Sequence, residues 1–411
     1  MKLDAFVKAF FSAIFLLVTT TFSQVTGEKV PQRILAGYYA DWSIWNTPSY
    51  SVDLVPYRQL THVIWSFIYP DANGNLSGDA IDDPTELDLM VSQAHAVGTK
   101  AIISLGGAGQ CKYFAPVSKN DKLRSNFVKK LTNFVAAHNL DGVDMDWEFD
   151  KVPVASEDTA GYNKLLTEIR ASLPQGVTLS AALPCSDYYG KYFTAEVLLA
   201  NLDWFGLMTY DITGDWDDKA RFDSPLFPNS KWTTWSWTQS AAYWTKRGVP
   251  ASKMVMGIPS FGFVFYGATG PGSDFDTAEQ ESYAEILKLA NWDYYYDDVS
   301  KEPYGIAEHK FVTFENAQST AAKAIWIYEN NYAGAMIWEL SHDYMETETQ
   351  PIVSTASRVL LEGNISIGKK RDLLTPQAAR ASYTYDALGK YAGNKKAGIR
   401  NRTAKKRYYN R

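Results

Sequence analysis

The segment Leu140–Asp150 reads LDGVDMDWEFD and places five carboxylic acids within eleven residues. If it is a strand, side chains alternate between faces, so Asp144, Asp146 and Glu148 share one face while Val143, Met145 and Trp147 share the other. At ~3.3 Å rise per residue, neighbouring acids along that row stand roughly 6–7 Å apart. With the apolar set packed outward on helices, the acids face an interior where like charges this close cannot all ionise cheaply. At least one carboxyl is expected to keep its proton at neutral pH, and the row to titrate as a coupled system. Glu148, last in the row and nearest the strand's C-terminal end, is best placed to meet substrate. A carboxylic acid held protonated by its neighbours is what cleavage of a glycosidic bond needs as general acid. A solvated acidic strand would not alternate so cleanly with Val, Met and Trp, and a Mg or Ca site usually recruits oxygen ligands from loops. Neither metal nor cofactor is implied.

The elements that must hold this row can be read around it. Eight β-like segments occur at Ile34–Trp42, His62–Tyr69, Lys100–Gly107, Leu140–Glu148, Thr178–Pro184, Trp204–Asp211, Lys253–Gly262 and Tyr332–Leu340. Most are separated by helical patterns, which implies a parallel sheet with crossover helices. The clearest helix is Asp121–Leu140, where Leu123, Phe127, Leu131, Phe134 and Val135 line one face. Others are expected at Glu86–Val97, Glu157–Leu173, Trp235–Arg247, Ser282–Ala290, Gln318–Asn330 and Pro351–Leu361. Eight β/α units predict an α/β fold, a (β/α)8 TIM barrel with its active site where the strands end. A doubly wound open sheet is the alternative, but no Gly-rich dinucleotide loop follows the first strand.

The chain has 411 residues, 46% hydrophobic and 14% aromatic, which excludes a disordered protein. Its net charge of −6 is uneven: Lys369–Arg411 holds 13 Lys and Arg against Asp372 and Asp386, leaving an acidic remainder. Acidic bodies do not make nucleic-acid grooves, so no nucleic-acid partner is expected. Lys2 and Lys8 precede an apolar run, Ala9–Phe22, too short for a bilayer and shaped like a secretory signal. The expected organisation is a signal peptide at 1–23, a catalytic barrel at 30–366 and a basic, disordered tail at 367–411. No other segment is apolar enough to span a membrane, and the mature protein is expected to be a secreted, extracellular monomer, possible wall attachment resting on the tail's charge. Sequons at Asn75, Asn364 and Asn401 are compatible with secretion. Cys111 and Cys185 could form one bridge in an oxidising compartment, although their positions in sequence do not bring them together.

Asp141, Asp144, Asp146 and Glu148 match the DxxDxDxE signature of the family 18 glycoside hydrolases, which the chain resembles from about Gly37 to Asp343. Ser104, Gly106 and Gly107 in SLGG are similar to that family's SxGG motif on the third strand. Met208, Tyr210 and Asp211 in MTYD match its sixth-strand motif, and Met336 and Trp338 fall where it has an eighth-strand tryptophan. The resemblance implies a TIM barrel and a retaining reaction in which the substrate's own 2-acetamido group is the nucleophile. Carried over, Glu148 is general acid and then base, Asp146 orients the acetamido N–H, and Asp144 supports Asp146 together with Ser104. Tyr210 would donate to the acetamido oxygen. Met208, Asp211 and Trp338 would bind sugar, with Tyr38 and Phe67 as further wall positions, and Asp141, Gly106 and Gly107 in support.

Trp42, Trp45, Trp216, Trp232, Trp235 and Trp237 fall in segments that should follow strands, as an extended carbohydrate cleft would require; Trp244 reads as core. Phe261 and Phe263 in GIPSFGF depart from the Tyr and Arg common in the family there. The 73 residues between Gly262 and Met336 are mostly taken up by two expected helices and the YYYDD and PYG segments. Little is left for an α+β insertion, so an open cleft is expected. Three functions fit: a chitinase cutting between N-acetylglucosamine units of chitin or its oligomers, an endo-β-N-acetylglucosaminidase acting on N-glycans, and a non-catalytic sugar-binding protein.

Overall fold

The computed structural model describes residues 33–345 and 349–366. The expected signal segment and basic tail lie outside the described residues. Eight parallel strands close a ring: β1 (Ile34–Ala40), β2 (His62–Pro70), β3 (Lys100–Gly106), β4 (Gly142–Asp146), β5 (Thr178–Pro184), β6 (Trp204–Met208), β7 (Met254–Pro259) and, after five intervening strands, β13 (Gly334–Trp338). Each pairs with the next, β13 pairs with β7 and β1, and β1 pairs with β2, so the sheet is a barrel. The TIM-barrel expectation is met, and the eight strands lie where the alternation predicted them, within a few residues.

Helices form where polar caps precede apolar spacing. At α3 (Asp121–Ala137) the Asn120 side chain accepts from the Lys122 and Leu123 amides, and Phe127, Leu131 and Val135 are buried. At α8 (Ala317–Glu329) Asn316 and Ser319 cap each other reciprocally. Between barrel and helices lie Val63, Ile103, Val143, Met145, Leu179, Phe205 and Leu207, all without exposure. Each such side chain contributes ~1.5–3 kcal/mol of burial. The barrel's inside is filled by Tyr38, Ile64, Ile102, Trp204, Val255 and Met336.

The expected lack of a sizeable insertion is corrected. Between β7 and α8 stand β8 (Phe261–Tyr266), β9 (Thr277–Ser282), β10 (Asp293–Asp297), β11 (Glu302–Ala307) and β12 (Lys310–Phe314). They form an antiparallel sheet in the order β9-β8-β12-β11-β10, with one short helix, α7 (Tyr283–Ile286). The segment read as a strand to Gly262 is two strands separated by Ser260, whose amide bonds the Trp338 carbonyl. The polar run TAEQES becomes a strand because β8 offers it a complete ladder from Phe261 to Tyr266, which overrides its weak β propensity. The helix expected at Ser282–Ala290 accordingly shrinks to one turn.

Candidate active site

The acid row stands on β4 in the alternation expected. Val143, Met145 and Trp147 face the helices, where Trp147 stacks on Phe114 at 5.3 Å and meets Phe149 and Tyr162. Asp144 is fully buried, and its two oxygens accept from Tyr38 (3.0 Å), Ser104 (2.9 Å) and Ser180 (2.6 Å) hydroxyls. Parallel registry explains this: Asp144 is level with Ser104 on one neighbour and Ser180 on the other. Burial pushes its carboxyl up, against the pull of those three donors. Asp146, also buried, has an Oδ1 without a donor among the described residues. Burial, then the charges of Glu148 and Asp144, hold its carboxyl well above the usual range.

Glu148 lies just past the strand's last ladder residue and is half-buried. Burial, then Asp211 and Asp150, push its carboxyl up to about 7. Its amide donates to the Cys111 sulfur at 3.3 Å. Cys111 and Cys185 are both free thiols, so the open question of a bridge closes without one.

Gly106 and Gly107 make this rim possible. Gly106 has φ 117°, and a Cβ there would stand 2.3 Å from the Asp146 carbonyl oxygen; Gly107 has φ 82°, and its Cβ would meet the Phe67 ring at 2.4 Å. Left-handed backbone with no room for a side chain admits only glycine. The Gly107 amide then bonds the Asp146 carbonyl at 2.8 Å, locking two strand ends together.

Beyond the row, Tyr210 is buried with its ring edge-on to Phe261 at 5.7 Å. Asp211 follows at φ 54° with its surface open to solvent. Desolvation by the surrounding protein pushes its carboxyl up to about 7. Met208 is half-buried. Trp338, half-exposed, stacks on Phe67 at 5.6 Å and lies 6.2 Å from Trp42, forming an aromatic floor. Tyr38, expected on the wall, lies beneath instead: it is 1% exposed, and its hydroxyl is committed to Asp144. Trp216 is 55% exposed and edge-on to Phe263 of the insertion. Asp141 stands at the opposite end of β4, where it accepts from the Ala101 amide and His95 and splices strand starts together.

Trp42 and Trp45 are exposed, whereas Trp237 and Trp244 are core. Trp235 donates to the Cys185 carbonyl and Ser240, a structural commitment. Two supporting groups were not singled out from sequence. Ser180 shares the inward parity of its strand and was recoverable by registry; Cys111 reaches Glu148 from a loop and left no pattern. Among the described residues, no cluster of His, Cys, Asp and Glu could hold a metal ion.

A closed parallel barrel with shielded carboxyls and an aromatic floor at its C-terminal rim defines a TIM-barrel glycoside hydrolase. The model of glycosyl hydrolases family 18 matches residues 34–343, and the chain belongs to that family. It is 27% identical over 376 residues to endochitinase 1 of Metarhizium robertsii, covering 82% of this chain and 87% of that one. It is 25% identical to the Manduca sexta endochitinase over 74% of this chain, and spans 63% of that longer relative. Its fold is similar to Ostrinia furnacalis Group II chitinase catalytic domain 2, solved in complex with penta-N-acetylchitooctaose. That match has a TM-score of 0.75 at 24% identity, over 81% of this chain and 97% of that one.

Proposed function

We propose that the chain is a secreted chitinase that hydrolyses β-1,4 bonds between N-acetylglucosamine units with retention of configuration and without a protein nucleophile. The observation that carries this is the division of labour along the row. Asp144 is immobilised by three hydroxyls, Asp146 keeps one bare oxygen, and Glu148 reaches the rim with its carboxyl near 7. Glu148 protonates the leaving oxygen while the substrate's acetamido carbonyl attacks the anomeric carbon. Asp146 accepts the acetamido N–H and stabilises positive charge on the ring, and Tyr210 donates to the acetamido oxygen. Glu148, now a carboxylate, then draws a proton from water to complete hydrolysis. Trp338 is the apolar floor under the reacting sugar, Trp216 and Met208 line the cleft, and Asp211 binds beside Glu148. The endochitinase relatives and the chito-oligosaccharide held by the Ostrinia fold support a chitin substrate. The leader-like run at 1–23 supports export, with 30–366 as the catalytic domain and 367–411 as a basic tail.

The test is product analysis on chitin oligomers beside a high-mannose glycopeptide and cello-oligosaccharides. Chitin oligomers should be cut and cello-oligosaccharides, which lack the nucleophile, should not. Glu148→Gln should lower turnover by at least ~10²–10⁴-fold while sugar binding persists. Mainly α anomer in fresh hydrolysate by proton NMR, or preference for the glycopeptide, would replace this reading.

A further inference from the structure

A cluster of buried polar groups lies behind the site, and the proposed reaction uses none of it. Lys323 on α8 has no exposed surface; it pairs with Glu315, lies 3.8 Å from Glu302 and sits 5.1 Å over the Trp237 ring. Both carboxylates are also fully buried. Taking such charges out of water is costly, and apolar residues of similar volume would often serve the fold as well. The arrangement therefore invites a functional explanation, and its hydrogen bonds supply one.

Lys323 Nζ donates to Ser224 Oγ at 3.1 Å, and Ser224 Oγ donates to the Thr209 carbonyl at 2.7 Å. Trp237 Nε1 donates to both that carbonyl and Ser224 Oγ at 3.0 Å. Thr209 directly precedes Tyr210, and its own hydroxyl donates to the Gly257 carbonyl at 2.7 Å. The peptide leading into Tyr210 is thus gripped from several sides at the point where β6 has ended. The insertion holds the gripping segment in turn. Ser224 N donates to Glu302 Oε1 on β11 (3.2 Å), and Asp223 N donates to Thr313 Oγ1 on β12 (3.1 Å). On the far side of the site residues, the Ile212 amide bonds the Asp223 carbonyl at 3.3 Å. Tyr210 and Asp211, the latter in left-handed backbone, are therefore bracketed by contacts to Asp223 and Ser224.

We propose that Ser224, held by Lys323, Trp237 and the insertion strands, is the positioning residue that fixes Tyr210 for the acetamido group. The insertion is then a splint for the sixth-strand motif. This deepens the proposed function and rests on the role given there to Tyr210. A small displacement of Tyr210 would lengthen a hydrogen bond that matters most in the transition state, and a 1 Å misplacement can cost ~10²-fold in rate.

The experiment is a double-mutant cycle on a soluble chito-oligosaccharide with Ser224→Ala, Tyr210→Phe and their combination. Ser224→Ala is expected to lower kcat about tenfold with KM within about twofold, and to cost nothing further once Tyr210 is Phe. A kcat for Ser224→Ala within about twofold of wild type, or losses that multiply in full, would overturn the positioning role. If Tyr210→Phe alone keeps wild-type turnover, the reading of Tyr210 fails and positioning through it falls too. Should Ser224→Ala not fold, Trp237→Phe removes the indole N–H from the same carbonyl while keeping an aromatic ring. It is held to the same two criteria.

Discussion

Replacing Glu148 with its amide should make the protein harder to melt, and only in one pH window. The carboxyl is pushed from 4.5 to about 7, chiefly by burial and then by Asp211 and Asp150. Because the folded value lies above the unfolded one, the contribution of this group is fully present below pH 4.5 and is lost as pH rises through 7. At ~1.4 kcal/mol per tenfold, the ceiling on that loss is about 3 kcal/mol. Glu148 is half-buried and shares its titration with neighbouring acids, so about 1–2 kcal/mol is expected in practice. Glu148→Gln keeps the shape and abolishes the titration. In thermal melts the two proteins should coincide at pH 4 and separate as pH rises. Above pH 7 the variant should stay higher by about 1.5–3 °C. A gap of the same size at pH 4 and pH 8, or a variant that melts lower at pH 8, would refute the claim that Glu148 is a carboxyl held against its preference.

Tyr210→Phe deletes the hydroxyl assigned to the developing acetamido charge and should lower kcat ~10–1000-fold; an unchanged rate would reduce Tyr210 to packing. Asp211→Asn removes the largest charge contribution raising Glu148, so the alkaline limb of kcat/KM should move to lower pH, whatever happens to its height. A limb that stays put or moves up would exclude that coupling. Gly107→Ala forces a side chain into φ 82° and to 2.4 Å from the Phe67 ring, which should cost ~1–3 kcal/mol, read as a lower denaturant midpoint at unchanged slope.

Strand parity carried most of the site. Once Leu140–Asp150 is extended, Asp144, Asp146 and Glu148 have no choice of face, and the outward set must meet helices, as Trp147 does on Phe114. Parity alone does not say how deep a side chain sits. Tyr38 was assigned to the wall, but depth within the barrel puts its hydroxyl on Asp144. Ser180 obeys the same parity and needed registry between strands, a long-range quantity, to be recognised as a donor. The insertion was hidden for two local reasons. Phe261–Tyr266 follows β7 after a single residue and merges with it by pattern, and Thr277–Ser282 has a composition that becomes strand only with a partner. Trp235 and Trp237 show the limit of counting aromatics: their indole N–H groups serve backbone carbonyls.

The barrel has no free rim along its strands, but the five-stranded insertion ends on both sides. Its outermost members, Thr277–Ser282 and Asp293–Asp297, each pair on one side only. A strand edge of this kind is a template for other chains, and the exposed Tyr295 ring adds apolar surface to the second one. Glu279 and Glu281 guard the first, Asp293 and Asp297 the second, and neither strand contains a cation. Two copies approaching edge to edge therefore meet as like charges. That repulsion weakens on acidification, which protonates the carboxylates, and at high salt, which screens them.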